Sequence, residues 1–150
     1  MNRDRLKDML IRHEGWKNRP YTCPAGHKTI GVGFNMEVNI MPSDIASHLR
    51  LKGYLPDDMI NRLLDISIGT AIMNCREIYK GFDDFSENRQ MALIDFLFNV
   101  GAGTALRFKK MRAAIKEGDW NRAADEMIDS AWFKQVKGRA TEVVDLVRRG

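Results

Sequence analysis

The sequence predicts an α+β fold in which a small antiparallel β-lobe is joined to a helical lobe by a long helix. Three observations lead to this prediction. Apolar residues recur at helical spacing near the N-terminus, a strand-like alternation flanks a turn signal at residues 24–26, and from Pro42 onward the apolar spacing is helical. A short sheet followed by a run of helices is typical of the α+β class.

The first predicted helix covers about residues 3–13, and Glu14 falls at its C-terminal end before Gly15. One face of this helix carries Leu6, Met9, Leu10 and His13. The Pro-Ala-Gly sequence at 24–26 predicts a turn, and the alternation over 29–34 predicts the second arm of a β-hairpin. We expect one further strand near residues 38–40.

Helix-start signals divide the rest of the chain. We predict a helix over about 44–51 after Pro42, and a long helix over about 58–79 opening at Pro56. Further helix caps are predicted at Ser86, Asp119 and Ser130. The last helix is predicted over about 139–148.

We therefore expect one domain of 150 residues with two lobes. The predicted β-lobe covers about residues 14–56, the helical lobe about 1–13 and 80–150, and the connecting helix about 58–79. A cleft between such lobes is the natural place for a ligand.

The charge balance limits the classes of partner. The chain has 24 Lys and Arg against 20 Asp and Glu, a net charge of +4, and residues 101–150 account for this excess with 11 against 7. A basic surface favours anionic partners such as nucleic acid or the bacterial wall. We find no helix-turn-helix with base-reading side chains, no aromatic strand platform and no basic stripe, so we predict no nucleic-acid partner.

Membrane and metal sites are also disfavoured. The longest run without a charged residue is 96–106, whereas a membrane-spanning helix needs about 20 apolar residues, so no stable membrane insertion is expected. Neither Cys23 nor Cys75 lies in a CxxC or similar metal-ligand motif, and none of the three histidines is followed by a second ligand three or four residues later. We predict no metal, and Cys75 on the long helix is expected in the core.

One group of side chains suggests chemistry. Glu14 closes the first helix, and Cys23 and Thr29 lie on the two arms of the hairpin, flanking its turn. A carboxyl held beside an apolar surface such as Trp16 or Tyr21 can have its pKa raised and serve as a general acid, as protonation of a glycosidic oxygen requires. These three residues are the candidate catalytic group.

The order of these residues resembles a known family. The N-terminal part of the chain contains Glu14-Gly15, then Tyr21, then Thr-Ile-Gly-Val-Gly at 29–33. This order resembles the N-terminal signature of the phage-type lysozymes, or endolysins, of glycoside hydrolase family 24, which include the T-even phage enzyme. Residues 92–101 resemble the family's buried helix, and residues 132–140 its C-terminal motif. The resemblance covers nearly the whole chain and implies the lysozyme-like α+β fold.

The resemblance also implies an activity and its residues. It implies a muramidase that cleaves the β-1,4 bond between N-acetylmuramic acid and N-acetylglucosamine in peptidoglycan, without a cofactor. Glu14 matches the general acid, Thr29 the threonine that holds the attacking water, and Cys23 a position usually occupied by aspartate. Arg139 matches an arginine that pairs with the catalytic glutamate, and Asn99 a polar residue lining the cleft; these two are the predicted substrate-binding residues.

The cysteine is a departure from the family pattern. An ordinary thiol with a pKa of about 8.5 is only about 3% thiolate at pH 7, and is a poor base. Our hypothesis is that Cys23 and Thr29 together position and partly activate the water. Alternatives are a lytic transglycosylase that leaves 1,6-anhydro ends, a nucleophilic Cys23, a chitinase-like activity on uncharged glycan, and a non-catalytic domain that binds the cell wall.

The biological setting follows from the same resemblance. The N-terminus alternates charges and lacks a signal-peptide pattern, so we expect the protein to accumulate in the host cytoplasm. A separate holin-like membrane permeabiliser would then release it to the periplasm and cell wall, leading to host cell lysis. We expect it to act as a monomer on peptidoglycan glycan strands.

Overall fold

The computed structural model describes all 150 residues, and its backbone contacts divide the chain into two compact units. The N-terminal unit is Arg3–Gly69, and the C-terminal unit joins Met1–Asn2 to Thr70–Gly150. The division falls inside the long helix and places the first helix in the same unit as the sheet.

Nine α-helices and three strands appear in the predicted α+β order, which confirms the fold class. The elements are α1 Arg3–Glu14, β1 Lys17–Thr22, β2 Lys28–Gly31, β3 Phe34–Asn35, α2 Ser43–Lys52, α3 Asp57–Ile78, α4 Glu87–Val100, α5 Ala102–Arg107, α6 Lys109–Lys116, α7 Trp120–Ile128, α8 Ala131–Val136 and α9 Gly138–Arg149. A short 3₁₀ turn at Phe82–Asp84 precedes α4.

The sheet of the N-terminal unit is antiparallel with the strand order β1-β2-β3. Tyr21 pairs with Thr29, and Ile30 pairs with Phe34. Because side chains alternate along a strand, Tyr21 and Thr29 share one face, while Ile30 and Phe34 share the other. Ile30 and Phe34 are buried with the apolar residues of α1, α2 and the first part of α3.

The strand expected near residues 38–40 was wrong. The third strand is Phe34–Asn35, and the chain then turns, leaving Val38 and Ile40 exposed. In this register residues 38–40 would lie opposite residues 24–26, which form the hairpin turn, and the Lys28 N–H donates to the Glu37 carboxylate at 2.7 Å.

In the C-terminal unit, α4 is the central helix. All seven residues from Met91 to Leu97 are buried, including Asp95, and the helix packs against α5 and α9. The predicted caps are confirmed, because the side chains of Ser86, Asp119 and Ser130 accept backbone hydrogen bonds at the starts of α4, α7 and α8.

Cys75 is fully buried on α3, as predicted. Burial raises the pKa of its thiol to about 12, so the thiol stays neutral. None of the helices is both long and apolar enough to cross a bilayer. No group of three or more His, Cys, Asp or Glu side chains is placed to hold a metal ion.

Candidate active site

Glu14 occupies the last position of α1, where the helix ends in a glycine. The Gly15 N–H donates to the Ile11 carbonyl at 2.8 Å, and Gly15 has a φ of +84°, a conformation that glycine adopts readily. The half-buried Glu14 carboxyl lies directly against Gly33: a Cβ atom on Gly33 would stand 2.7 Å from Glu14 Oε2. The bare backbone of Gly33 therefore makes room for this carboxyl.

We expect Gly33→Ala to reduce activity far more than its effect on folding would suggest. The methyl group would displace the Glu14 carboxyl, and misplacing a general acid, the role predicted for Glu14, by about 1 Å can cost on the order of 100-fold in rate. Gly33 also has a φ of +65°, so alanine adds roughly 1–2 kcal/mol of backbone strain. Turnover of peptidoglycan and thermal unfolding would both be measured.

Gly53→Ala is the matched control for this substitution. Gly53 has a φ of +76°, but a Cβ there would meet only Arg19 Nη1, at an ordinary 3.6 Å. Both variants should lose similar stability, and only Gly33→Ala should lose activity. Equal activity losses in the two variants would show that Gly33 acts through backbone strain alone.

A three-residue loop holds Cys23 in place. The Cys23 N–H donates to the His27 carbonyl at 2.9 Å, and the Gly26 N–H donates to the Cys23 carbonyl at 2.8 Å. Gly26, with a φ of +88°, supplies the left-handed residue that hairpin loops of this length use. The loop consequently brings the end of β1 back onto the start of β2.

Hydrogen-bond donors converge on the Cys23 thiol. The backbone N–H of His27, the Thr29 hydroxyl and the Ala25 N–H, together with the charge of the His27 side chain, lower its pKa below the ordinary value. The Thr29 hydroxyl, in a side chain only 3% exposed, lies 2.9 Å from the His27 carbonyl, to which its single proton can be donated instead. The structure thus brings Cys23 and Thr29 together, and the thiol is more acidic than an isolated cysteine.

Tyr21 links Glu14 to the same group. Burial raises the pKa of its phenol, and the negative charges of Glu14 and Cys23 raise it further, so both groups lie close enough to act on it. Tyr21 lies on the same sheet face as Thr29. The charges of Glu14 and Cys23 therefore act on Tyr21, which pairs with Thr29 across the sheet of the N-terminal unit.

Sequence reasoning missed Glu37 and His27, which support this group. Glu37 Oε1 lies 3.1 Å from His27 Nδ1, while its other oxygen accepts the Lys28 N–H. These bonds lower the pKa of Glu37, the Lys28 N–H having the larger effect. Since the His27 backbone contacts both Cys23 and Thr29, Glu37 anchors the loop that carries them. A histidine inside the turn was the available signal, but its partner ten residues later was not recognisable.

The two predicted substrate-binding residues lie in the C-terminal unit. The Trp132 Nε1–H donates to Asn99 Oδ1 at 2.6 Å, which fixes the amide of this exposed residue. Arg139 Nε donates to Asp95 Oδ1 at 2.8 Å, and its Nη2 donates to the Asp95 carbonyl at 3.3 Å. The Asp95 carboxylate, fully buried, was the anchor that sequence reasoning missed. The pairing of Arg139 with the glutamate stays a prediction.

The N-terminal unit also has a cavity of about 500 Å³ on the other face of the sheet. Its lining includes Lys28, Phe34 and Met36, and none of the predicted catalytic residues. Phe34 is a buried apolar residue of β3. This cavity is separate from the group around Tyr21.

Comparisons with known proteins point to one family. The sequence model of the phage lysozyme family matches residues 11–150. The chain is 27% identical over 161 residues to "Probable T4-type lysozyme 2" of Dictyostelium discoideum, covering 97% of this chain and 94% of that protein. It is 25% identical over 144 residues to "Endolysin" of Acyrthosiphon pisum secondary endosymbiont phage 1, covering 94% and 86%.

A third relative is much longer. The chain is 27% identical over 173 residues to "Pre-baseplate central spike protein Gp5" of Enterobacteria phage T4, and the match covers 97% of this chain but 28% of that protein. The similarity to this relative therefore concerns one part of a larger protein.

Proposed function

This chain belongs to the phage lysozyme family, and from that premise we propose that it hydrolyses the β-1,4 bond between N-acetylmuramic acid and N-acetylglucosamine, with Glu14 as the general acid. The protein is a lysozyme, a glycoside hydrolase that acts on peptidoglycan. The observation that supports the proposed mechanism best is the placement of the Glu14 carboxyl against Gly33, in the same group as Tyr21, Cys23 and Thr29.

The proposed reaction is a single displacement by water. Glu14 gives its proton to the glycosidic oxygen as the bond from that oxygen to the anomeric carbon breaks, which produces a neutral leaving alcohol. Water attacks the same carbon and loses a proton, and the product is a reducing end. Positive charge develops on the sugar ring in the transition state, so a positioned water and a nearby negative group both lower the barrier to bond cleavage.

Cys23 and Thr29 are proposed to hold this water. The donors around the thiol favour its thiolate, and a thiolate can accept a proton from water, which weakens the objection that cysteine is a poor base. Thr29 has one hydroxyl proton, which can be directed at the His27 carbonyl or at the Cys23 sulfur. In either case its lone pairs remain free to accept a hydrogen bond from water.

Thr29→Val tests the coupling between these two side chains. Removing the hydroxyl donor should raise the pKa of the Cys23 thiol, so alkylation by iodoacetamide at pH 7 becomes slower and its pH profile moves to higher pH. Turnover should fall on the order of 10-fold to 100-fold, because the water loses one of its contacts. Valine keeps the size and strand preference of threonine at this buried position, so the fold should be retained.

The same substitution at an exposed neighbour provides the control. Thr22→Val changes an exposed threonine at the end of β1 and should leave both alkylation and turnover unchanged. The buried Cys75, whose thiol stays neutral, should react slowly in every variant. An unchanged alkylation profile in Thr29→Val would refute the coupling.

Substrate binding and biological role complete the proposal. Asn99 and Arg139 are proposed to contact the glycan strand, and each is held by a buried partner, Trp132 and Asp95 respectively. The protein is proposed to act as a monomer that stays in the host cytoplasm until a holin-like permeabiliser releases it to the periplasm and wall, causing lysis. The similarity to a phage endolysin supports this role.

The test is digestion of purified peptidoglycan sacculi, followed by mass spectrometry of the new glycan ends. Full reducing muramic acid ends support hydrolysis at the proposed bond. Ends lighter by one water would identify a lytic transglycosylase, and reducing glucosamine ends would place the cleavage at the other bond of the repeat. A parallel digestion of chitin tests the substrate class, and equal turnover of both polymers would contradict the preference for peptidoglycan.

A further inference from the structure

The carboxylate of Glu37 bridges two consecutive residues at the hairpin turn. Its Oε1 lies 3.1 Å from Nδ1 of His27, and its Oε2 accepts the Lys28 N–H at 2.7 Å. The pKa of Glu37 is lowered, first by the Lys28 N–H and then by the His27 side chain, so the group is ionised at neutral pH. An ionised carboxylate only accepts hydrogen bonds, and Nδ1 of His27 is therefore the donor.

The chain around Glu37 fixes the position of this carboxylate. The Glu37 N–H donates to Asn35 Oδ1 at 2.9 Å, and the Met36 N–H donates to the Lys28 carbonyl at 2.8 Å. The first bond ties Glu37 to the end of β3, and the second ties its neighbour to the start of β2. The Lys28 N–H then sets the orientation of the carboxylate, which directs its other oxygen at the His27 ring.

His27 connects this carboxylate to the candidate catalytic group. Its carbonyl accepts the Cys23 N–H at 2.9 Å and lies 2.9 Å from the Thr29 hydroxyl. Its own N–H donates to the Cys23 thiol and is the largest of the effects that lower the pKa of that thiol, while the charge of its side chain has a smaller effect in the same direction. The backbone and the side chain of His27 thus both act on Cys23, and the side chain contacts Glu37.

Side-chain packing does little to fix the turn itself. The side chains of residues 24–28 are all exposed, whereas Thr29 and Ile30, which follow them, are buried. An exposed turn keeps one conformation only as far as hydrogen bonds hold it, because no buried apolar contact restrains it. Two backbone bonds close the turn, and the carboxylate of Glu37 adds two contacts from outside it.

We propose that Glu37 is a positioning residue for glycan cleavage, and that it acts on the Cys23 thiol through the side chain of His27. The carboxylate holds the His27 ring in one place, which keeps the His27 N–H directed at the sulfur. A fixed donor at the sulfur favours the thiolate at the position where the attacking water is proposed to lie. This inference rests on the proposed role of Cys23 and Thr29 in holding that water.

Alkylation of Cys23 by iodoacetamide as a function of pH measures this effect without any glycan. In Glu37→Ala the midpoint of the profile should move to higher pH, and the rate at pH 7 should fall several-fold, because the His27 N–H loses its fixed direction at the sulfur. Turnover of sacculi should fall on the order of 10-fold with KM nearly unchanged, since a misdirected group affects bond cleavage more than binding. Glu37 is half exposed, so the fold should be retained.

Glu37→Gln separates the two contacts of the carboxylate. Glutamine keeps an oxygen acceptor for the Lys28 N–H, but its amide nitrogen then faces Nδ1 of His27 and cannot accept the hydrogen bond of the ring. Its alkylation profile and turnover should therefore lie close to those of Glu37→Ala, while its unfolding midpoint stays near that of the wild type. Asp8→Ala, which removes an exposed carboxylate from the same unit, should change neither alkylation nor turnover.

A double-mutant cycle shows whether Glu37 acts through His27. His27→Ala should itself shift the alkylation profile and lower turnover. Adding Glu37→Ala to it should cause little further change, because the ring through which Glu37 acts is already absent. Independent effects that multiply in the double variant would overturn the proposal.

The remaining contrary outcomes are distinct from one another. An unchanged alkylation profile in Glu37→Ala, measured well below its unfolding midpoint, would overturn the proposal, whether turnover falls or only stability does. A shifted profile with unchanged turnover would instead show that Cys23 takes no part in glycan cleavage. The contact of Glu37 with the turn would then stand, and the failure would lie in the proposed function.

Discussion

Glu14→Gln should reduce the turnover of sacculi by about 10²-fold to 10⁴-fold while leaving the fold intact. This is the range that a positioned general acid contributes, and glutamine keeps the shape of the side chain but cannot give up a proton. The half-buried position against Gly33 accepts an amide of the same size. KM should change little, because proton transfer is needed only as the bond breaks.

Asp8→Asn is the control for this substitution. Asp8 is an exposed carboxylate on the same helix, and its amide variant should keep full turnover. Thermal unfolding of both variants separates a catalytic from a structural role, because a purely structural role would lower the unfolding midpoint in parallel with turnover. Retention of a tenth or more of the wild-type turnover by Glu14→Gln would eliminate Glu14 as the general acid.

The helices that could be predicted are those with a local signal at their start. Ser86, Asp119 and Ser130 each place a side-chain acceptor before an apolar run, and each caps a helix. The helices α5 and α6 were not predicted separately. They begin after Gly101 and Phe108, neither of which makes a side-chain cap, so nothing in the local sequence marks their first residues.

The candidate site was predictable to the same extent. Glu14, Cys23 and Thr29 lie within sixteen residues of one another, and a helix end plus a hairpin turn brings them together. The contacts that hold the candidate side chains in place could not be predicted in this way. Glu37 follows the third strand, whose end was not predicted, and it pairs with His27 in the hairpin turn. Asp95 contacts Arg139, which lies 44 residues later in the chain. Such pairs depend on tertiary packing, which local patterns do not contain.

Asp95→Ala should lower the free energy of unfolding by about 3–5 kcal/mol. Asp95 is fully buried on α4, and the Arg139 side chain on α9 is 12% exposed, so alanine takes the counter-charge from a cation that water reaches poorly. The pair also joins the two helices that form much of the C-terminal unit. In a domain of this size the unfolding midpoint should fall by roughly 6–20 °C.

Asp145→Ala measures what an ion pair contributes when it is exposed. Asp145 and Arg149 lie one turn apart on α9 at 2.8 Å, with side chains 50% and 78% exposed, and their loss should cost below about 1 kcal/mol. Urea unfolding of both variants gives the comparison.

A double variant that replaces both Asp95 and Arg139 should lose less stability than the sum of the two single variants, because each single change leaves the other buried charge behind. Similar losses for Asp95→Ala and Asp145→Ala would mean that Asp95 does not anchor Arg139. The proposed contact of Arg139 with substrate would then lack its rigid support.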